Sequence, residues 1–142
     1  MGFFDFFKSG NKQEQDRARD ALVDLDIDTA IAAHENWKVR LRTFLDGNST
    51  EDLRADVICR DDRCDLGKWI HGPGGEKLRH YAAFGELKAT HRLFHMQASS
   101  VIMQAKSGSR DAAEKLLQED YSRTSASIIR GLNDLKLLST PR

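Results

Sequence analysis

An all-α protein, built as a helical bundle, is what this sequence predicts. Three observations carry that prediction. Apolar residues recur at helical spacing through long stretches of the chain. No segment alternates apolar and polar residues as a half-buried strand does. Short glycine- and serine-containing turns join the helical stretches, which is the connectivity of a bundle.

The chain has 142 residues, enough for one domain with a real core and no disulfide staples. Lysine plus arginine equals aspartate plus glutamate at 22 each. A net charge of zero gives no electrostatic reason to expect nucleic acid or an anionic membrane as the main partner. No signal peptide and no apolar run of membrane-spanning length are present. The two cysteines, Cys59 and Cys64, are therefore expected in a reducing cytoplasm, where a cysteine more often binds metal or reacts than forms a bridge.

Residues 1–26 read as an N-terminal segment with a lead-in helix, and residues 27–138 as the bundle. The start, MGFFDFF, holds Phe3, Phe4, Phe6 and Phe7 and is too short to be a stable helix alone. It reads as a docking peptide for a partner groove or a shallow foothold on a membrane, or as a tail tucked on the core or a dimer mate. Phe6 stands where a myristoylation signal needs serine or threonine. Gln13 to Asp24 is charged and helical in pattern. Asp24, Asp26 and Asp28 lack the glycine and terminal glutamate of a calcium loop. Asp28 is expected to cap a helix from Thr29 to Asp46, whose seam is Ile27, Ile31, His34, Leu41 and Leu45. Trp37 lies one turn beyond His34, where it can pack beside the imidazole.

Between Ser49 and Cys64 the periodicity is weak, with a turn of helix expected near Thr50 to Leu53. Leu66 to His71 reads as a short helix closed by a turn at Gly72-Pro73-Gly74-Gly75. Cys64 then sits near a helix start, where the dipole and free N–H groups favour thiolate. Gly67 is expected to let this segment approach a neighbouring helix closely. The glycine-rich stretch lacks the spacing and the Lys-Ser/Thr pair of a phosphate loop. His71 and His80 flank it as loop or surface residues. Tyr81 to Lys106 is the third helix, with Leu87, His91, Phe94, Ala98, Val101 and Ala105 at 4-3 spacing. A single last helix follows, capped by Ser109 or Asp111, with Leu117, Tyr121, Thr124, Ile128, Gly131, Leu135 and Leu138 as its seam.

The chemistry centres on His91 and His95. Residues four apart share a helix face, roughly 6 Å apart at Cβ, so two imidazoles can grip one ion. A lone pair of this kind is more often packed or surface histidine than a ligand pair. Here His34 and Cys64 can join it, making the four-ligand Cys/His set that zinc favours. The spacing is not that of a zinc finger. Topology is the favourable point, because all four residues lie on elements whose apolar seams must meet in one core.

The motifs His34-x-x-Trp37, Cys64-x-Leu66-Gly67-x-Trp69 and His91-x-x-x-His95 resemble the chemoreceptor zinc-binding domain family over roughly residues 27 to 138. The resemblance implies a four-helix bundle, often a homodimer, with a short inserted helix carrying the cysteine ligand. It implies Zn2+ held by His34, Cys64, His91 and His95, with Trp37, Leu66, Gly67 and Trp69 as supporting packing. It implies regulation rather than catalysis: zinc occupancy, or oxidation of Cys64 by a species such as hypochlorous acid, controls a bacterial signalling output in chemotaxis or cyclic-di-GMP metabolism. Family members usually accompany a chemoreceptor or a diguanylate cyclase, and neither a catalytic nor a transmembrane segment is evident here. Two other readings are weaker. A zinc hydrolase needs an open metal position and a general base, and Glu35 points to another helix face. A hemerythrin-like di-iron bundle needs more histidine and carboxylate ligands than one HxxxH supplies.

Overall fold

The computed structural model describes residues 12–139, which are helical with no strand among them. The phenylalanine-rich start lies outside the described residues. Helix α1 spans Lys12–Ala21 and runs into a 3-10 turn at Leu22–Asp24. Its Ala18 and Ala21 are fully buried, so the lead-in helix shares the core of the rest.

Helix α2, Ile27–Leu45, begins two residues before the expected Thr29. Asp26, not Asp28, is its N-cap. The extended backbone at Asp26 lets its carboxylate accept the Thr29 N–H at 3.1 Å, a bond that holds the carboxyl below its usual range. Asp28 is thereby free to accept from Lys136 near the end of the chain at 2.9 and 3.1 Å.

The helical turn expected at 50–53 forms later, as α3 at Ala55–Ile58. The residues before it are tied down elsewhere. Arg40 holds Glu51, and the Leu53 carbonyl accepts the Lys106 ammonium at 2.8 Å. Helix α4 is Asp65–Ile70, with Cys64 as its N-cap. The Gly-Pro-Gly-Gly stretch is not a plain turn. Pro73 opens a second short helix, α5 at Pro73–Leu78, where a fixed φ and a missing N–H suit the first helical position.

Two glycines here are required by close approach. A Cβ on Gly67 would lie 1.7 Å from the Asp61 carbonyl oxygen, so the glycine admits loop backbone rather than the neighbouring helix expected. A Cβ on Gly74 would lie 2.6 Å from the Trp69 indole.

Helix α6, Ala82–Lys106, is the longest, and it packs on α3, on α7 at Arg110–Gln118 and on α8 at Asp120–Ser139. The expected single last helix is two, broken at Glu119 with φ −106° and ψ −88°. Serine and threonine hydroxyls compete for backbone carbonyls around the break. Ser122 donates to the Leu117 carbonyl five residues back at 2.8 Å, and Thr124 to that of Asp120 at 3.0 Å. Helix α2 lies against α6, α7 and α8, while α1 lies against α5 and α8. Phe94, Tyr121, Leu41 and Ile128 are fully buried where these helices meet. Among the described residues no helix is long and apolar enough to cross a membrane.

Substituting Gly67→Ala must displace the Asp61 loop and is expected to destabilise the protein by about 2–3 kcal/mol, a fall in Tm of about 10 °C. Gly85→Ala, on open helix surface with nothing near its Cβ position, is expected to raise stability by about 0.5–1 kcal/mol. Thermal melts of the two variants beside the parent chain check the pair.

Candidate metal centre

Helix α2 brings in His34, which is 2% exposed. Its Nδ1–H donates to the Ala30 carbonyl one turn back at 2.7 Å, leaving Nε2 for whatever lies beyond. Helix α6 brings in His91 and His95, 0% and 4% exposed. The Nδ1–H of His95 donates to the Ile58 carbonyl at the end of α3, at 2.9 Å. Such second bonds fix the tautomer and turn Nε2 inward as a lone pair, as they do in metal-binding histidines. His91 is the exception: its Nδ1 is buried with no partner. Cys64 is half-buried at the head of α4, its sulfur accepting the Gly67 N–H at 3.3 Å.

The four side chains converge. One ligand atom from each of His34, Cys64, His91 and His95 lies within 4.8 Å of all the others. Cys64 Sγ is 3.3 Å from His91 Nε2 and 3.6 Å from His95 Nε2, and the two Nε2 atoms are 3.1 Å apart. A zinc tetrahedron has edges of about 3.4 Å between nitrogens and about 3.6 Å between nitrogen and sulfur, given the usual bond lengths. His34 Nε2 is buried without a partner, a cost that a bound cation removes. Donor set, spacing and orphaned nitrogen all fit a metal ion of the zinc type.

The protonation states also fit, with one correction. Burial pushes all three imidazoles below their ordinary range, and His91, with His95 and His34 beside it, falls to about 2. They are neutral at pH 7, the ligating form. The helix start at Cys64 was expected to favour thiolate. Instead burial dominates and pushes the thiol up, outweighing the N–H groups of Gly67 and Leu66. The unliganded sulfur is a protonated thiol.

The surroundings differ in part from expectation. Leu66, Gly67 and Trp69 are buried in α4, and the Trp69 Nε1–H donates to the Ala21 carbonyl at 2.6 Å. Trp37 lies at the half-buried edge of the core with the Arg40 guanidinium 3.8 Å above its ring. The rings around His34 are His91, His95 and Phe94, at 5.2, 6.2 and 5.0 Å between centroids. Phe94 was visible only as a seam residue. The Ala30 carbonyl follows from helix geometry, whereas the Ile58 carbonyl comes from the single-turn helix α3, 37 residues from His95, and leaves no sequence signal. His71 bonds Asp61 at 3.2 Å and His80 sits by Arg79, both outside the cluster.

Substituting alanine for His34, Cys64, His91 or His95 is expected to lower zinc affinity at least about 100-fold. His71→Ala and His80→Ala are expected to change it less than about twofold, as read by chelator competition. The pKa directions set the proton balance. The thiol is protonated at pH 7 and must lose its proton, while the imidazoles have none to lose. Zinc loading should therefore release about one proton per chain, and affinity should rise about tenfold per pH unit between about pH 7 and 8.5. Calorimetry in buffers of different ionisation enthalpy measures that release.

No curated protein and no solved structure matches the chain significantly. A family match does exist, over residues 34–102, to the chemoreceptor zinc-binding domain. The matched segment, just under half of the chain, holds all four converging side chains and the three short helices between α2 and α6, and over it the chain is similar to the chemoreceptor zinc-binding domain family.

Proposed function

We propose that the chain is a regulatory zinc domain: His34, Cys64, His91 and His95 hold one Zn2+, and the state of that site controls a bacterial signalling partner. The observation that carries this reading is the buried set of three histidines and one cysteine, all within 4.8 Å. When bound, the ion supplies a fixed positive centre that keeps the sulfur deprotonated and ties α2, α4 and α6 together. Four protein donors leave no position for a reacting water, which disfavours a hydrolase. One HxxxH pair, with no carboxylate joining its cluster among the described residues, is a poor match to a di-iron bundle.

The helices of residues 27–138 are read as the four-helix bundle of the family, and α1 as the lead-in helix whose Ala18 and Ala21 pack into the same core. Helix α4 is the inserted helix that carries the cysteine. A homodimer acting on a chemoreceptor or a diguanylate cyclase in the cytoplasm is the context that the family suggests. The unpaired state of Cys59 and Cys64 is consistent with a reducing compartment.

Cys64 is the reactive group in this reading, because it is half-buried where the histidines are closed off. Its thiolate attacks the chlorine of hypochlorous acid. The net change is thiolate plus HOCl to sulfenic acid plus chloride, with sulfur losing the electron pair that chlorine gains. Oxygen on the donor atom weakens the sulfur as a ligand, and α4 loses its tether to the histidines. Cys59, exposed five residues earlier, is the thiol available to condense with the sulfenic acid and expel water.

The zinc-loaded protein is expected to melt about 10 °C or more above the chelator-treated protein. Equal melting temperatures after verified metal loss would remove the link between zinc and fold. Mass spectrometry after brief exposure to hypochlorous acid is expected to find oxygen first on Cys64, and a Cys59–Cys64 disulfide that disappears in Cys59→Ser. Oxidation confined to Cys59, with zinc retained, would overturn the redox reading and leave an occupancy sensor.

A further inference from the structure

We infer that the cavity between the α1–α2 turn and α4 is the path by which the cation reaches the centre, and that the acidic mouth of that cavity sets the loading rate. The inference rests on the reading of His34, Cys64, His91 and His95 as metal ligands, and it concerns how they are reached.

The cavity has a volume of about 580 Å³, and His34 and Cys64 are among the residues that line it. His91 and His95 do not line it, so they lie behind the first two. The burial pattern agrees. Cys64 is the one member of the cluster that is only half-buried, and the three imidazoles are closed off from solvent. An ion arriving from water therefore meets the sulfur side first. At the same end waits a nearly fully buried imidazole, His34, whose Nε2 has no partner.

The mouth is charged. Asp24, Asp26 and Asp65 line it and are exposed, against the single ammonium of Lys68. Asp26 is committed to capping α2, yet its charge remains. Asp61, the other carboxylate near the cluster, is paired with His71 and does not line the cavity. Three carboxylates against one ammonium, on low-dielectric walls, concentrate a divalent cation at the opening. The same field opposes anions. Ala33 also lines the cavity, on the exposed side of α2. A small side chain there keeps the passage open beside His34.

The test follows Zn2+ loading by stopped-flow against a chromophoric chelator, and release by transfer to chelator in excess. Asp24→Lys is expected to slow loading about 3- to 10-fold at low salt, and Lys68→Glu to speed it by a similar factor. Both effects should shrink below about twofold at about 0.5 M salt. Asp111→Lys, an equal change of charge on α7 away from the mouth, should leave the loading rate within about twofold of the parent. Ala33→Trp narrows the passage without touching a ligand, so loading and release should slow by the same factor while the dissociation constant stays fixed. Parent-like rates in Asp24→Lys, Lys68→Glu and Ala33→Trp, with one zinc still bound per chain, would overturn the access path and leave the metal site standing. Failure of the unaltered protein to bind zinc stoichiometrically would overturn the metal site itself.

Discussion

Three buried neutral imidazoles and one half-buried thiol share a single pocket, and the rest of the structure answers to that constraint. Each buried polar atom without a partner costs about 1–3 kcal/mol, and His34 Nε2 and His91 Nδ1 are both in that position. Apolar side chains at these points would make a cheaper core. The chain instead spends backbone carbonyls at Ala30 and Ile58 to aim two of the rings. Helix α3 is a single turn, and one of its contributions is the carbonyl that holds His95. Phe94 and Tyr121, with ring centroids 5.0 Å apart, close the apolar side behind the cluster.

The connection between α2 and α6 depends on elements that cannot stand alone. Helices α4 and α5 have six residues each, far below the length at which an isolated helix persists in water. Contacts from outside hold them. The Trp69 indole bonds the last carbonyl of α1, Gly67 seats against the Asp61 backbone, and Gly74 seats against the Trp69 ring. The segment that bears Cys64 thus depends on its tethers, and the contacts of the Cys64 sulfur with His91 and His95 are among them.

Long periodic stretches were legible in the sequence because packing enforces their spacing. Leu87, His91, Phe94 and Ala98 form one buried face of α6 because residues three and four apart share a face. The four candidate ligands were legible as residue types on seams that had to meet, and the structure brings them together. What stayed hidden was decided by tertiary detail. Pro73-Gly74-Gly75 has the composition of a turn, yet Pro73 suits a first helical position and Gly74 seats against Trp69, so the stretch starts a helix. The break at Glu119 involves no proline or glycine, only hydroxyls bonding nearby carbonyls. Asp26 and Asp28 are both good caps, and the helix starts at Ile27 with Asp26 as its cap. The thiol of Cys64 was misjudged because a helix start is a local feature, whereas burial comes from α2 and α6 folding over it.

The opposed protonation of sulfur and imidazoles has an electrical consequence. Without metal the centre is uncharged: three neutral rings and a thiol. Adding a dication and losing one proton leaves a single buried positive charge. The chain has a formal net charge of zero at pH 7, so occupancy converts a neutral molecule into a monocation, its isoelectric point displaced upward. Loaded and empty forms are therefore distinguishable by their mobility in an electric field, with no reporter attached and no change of shape required.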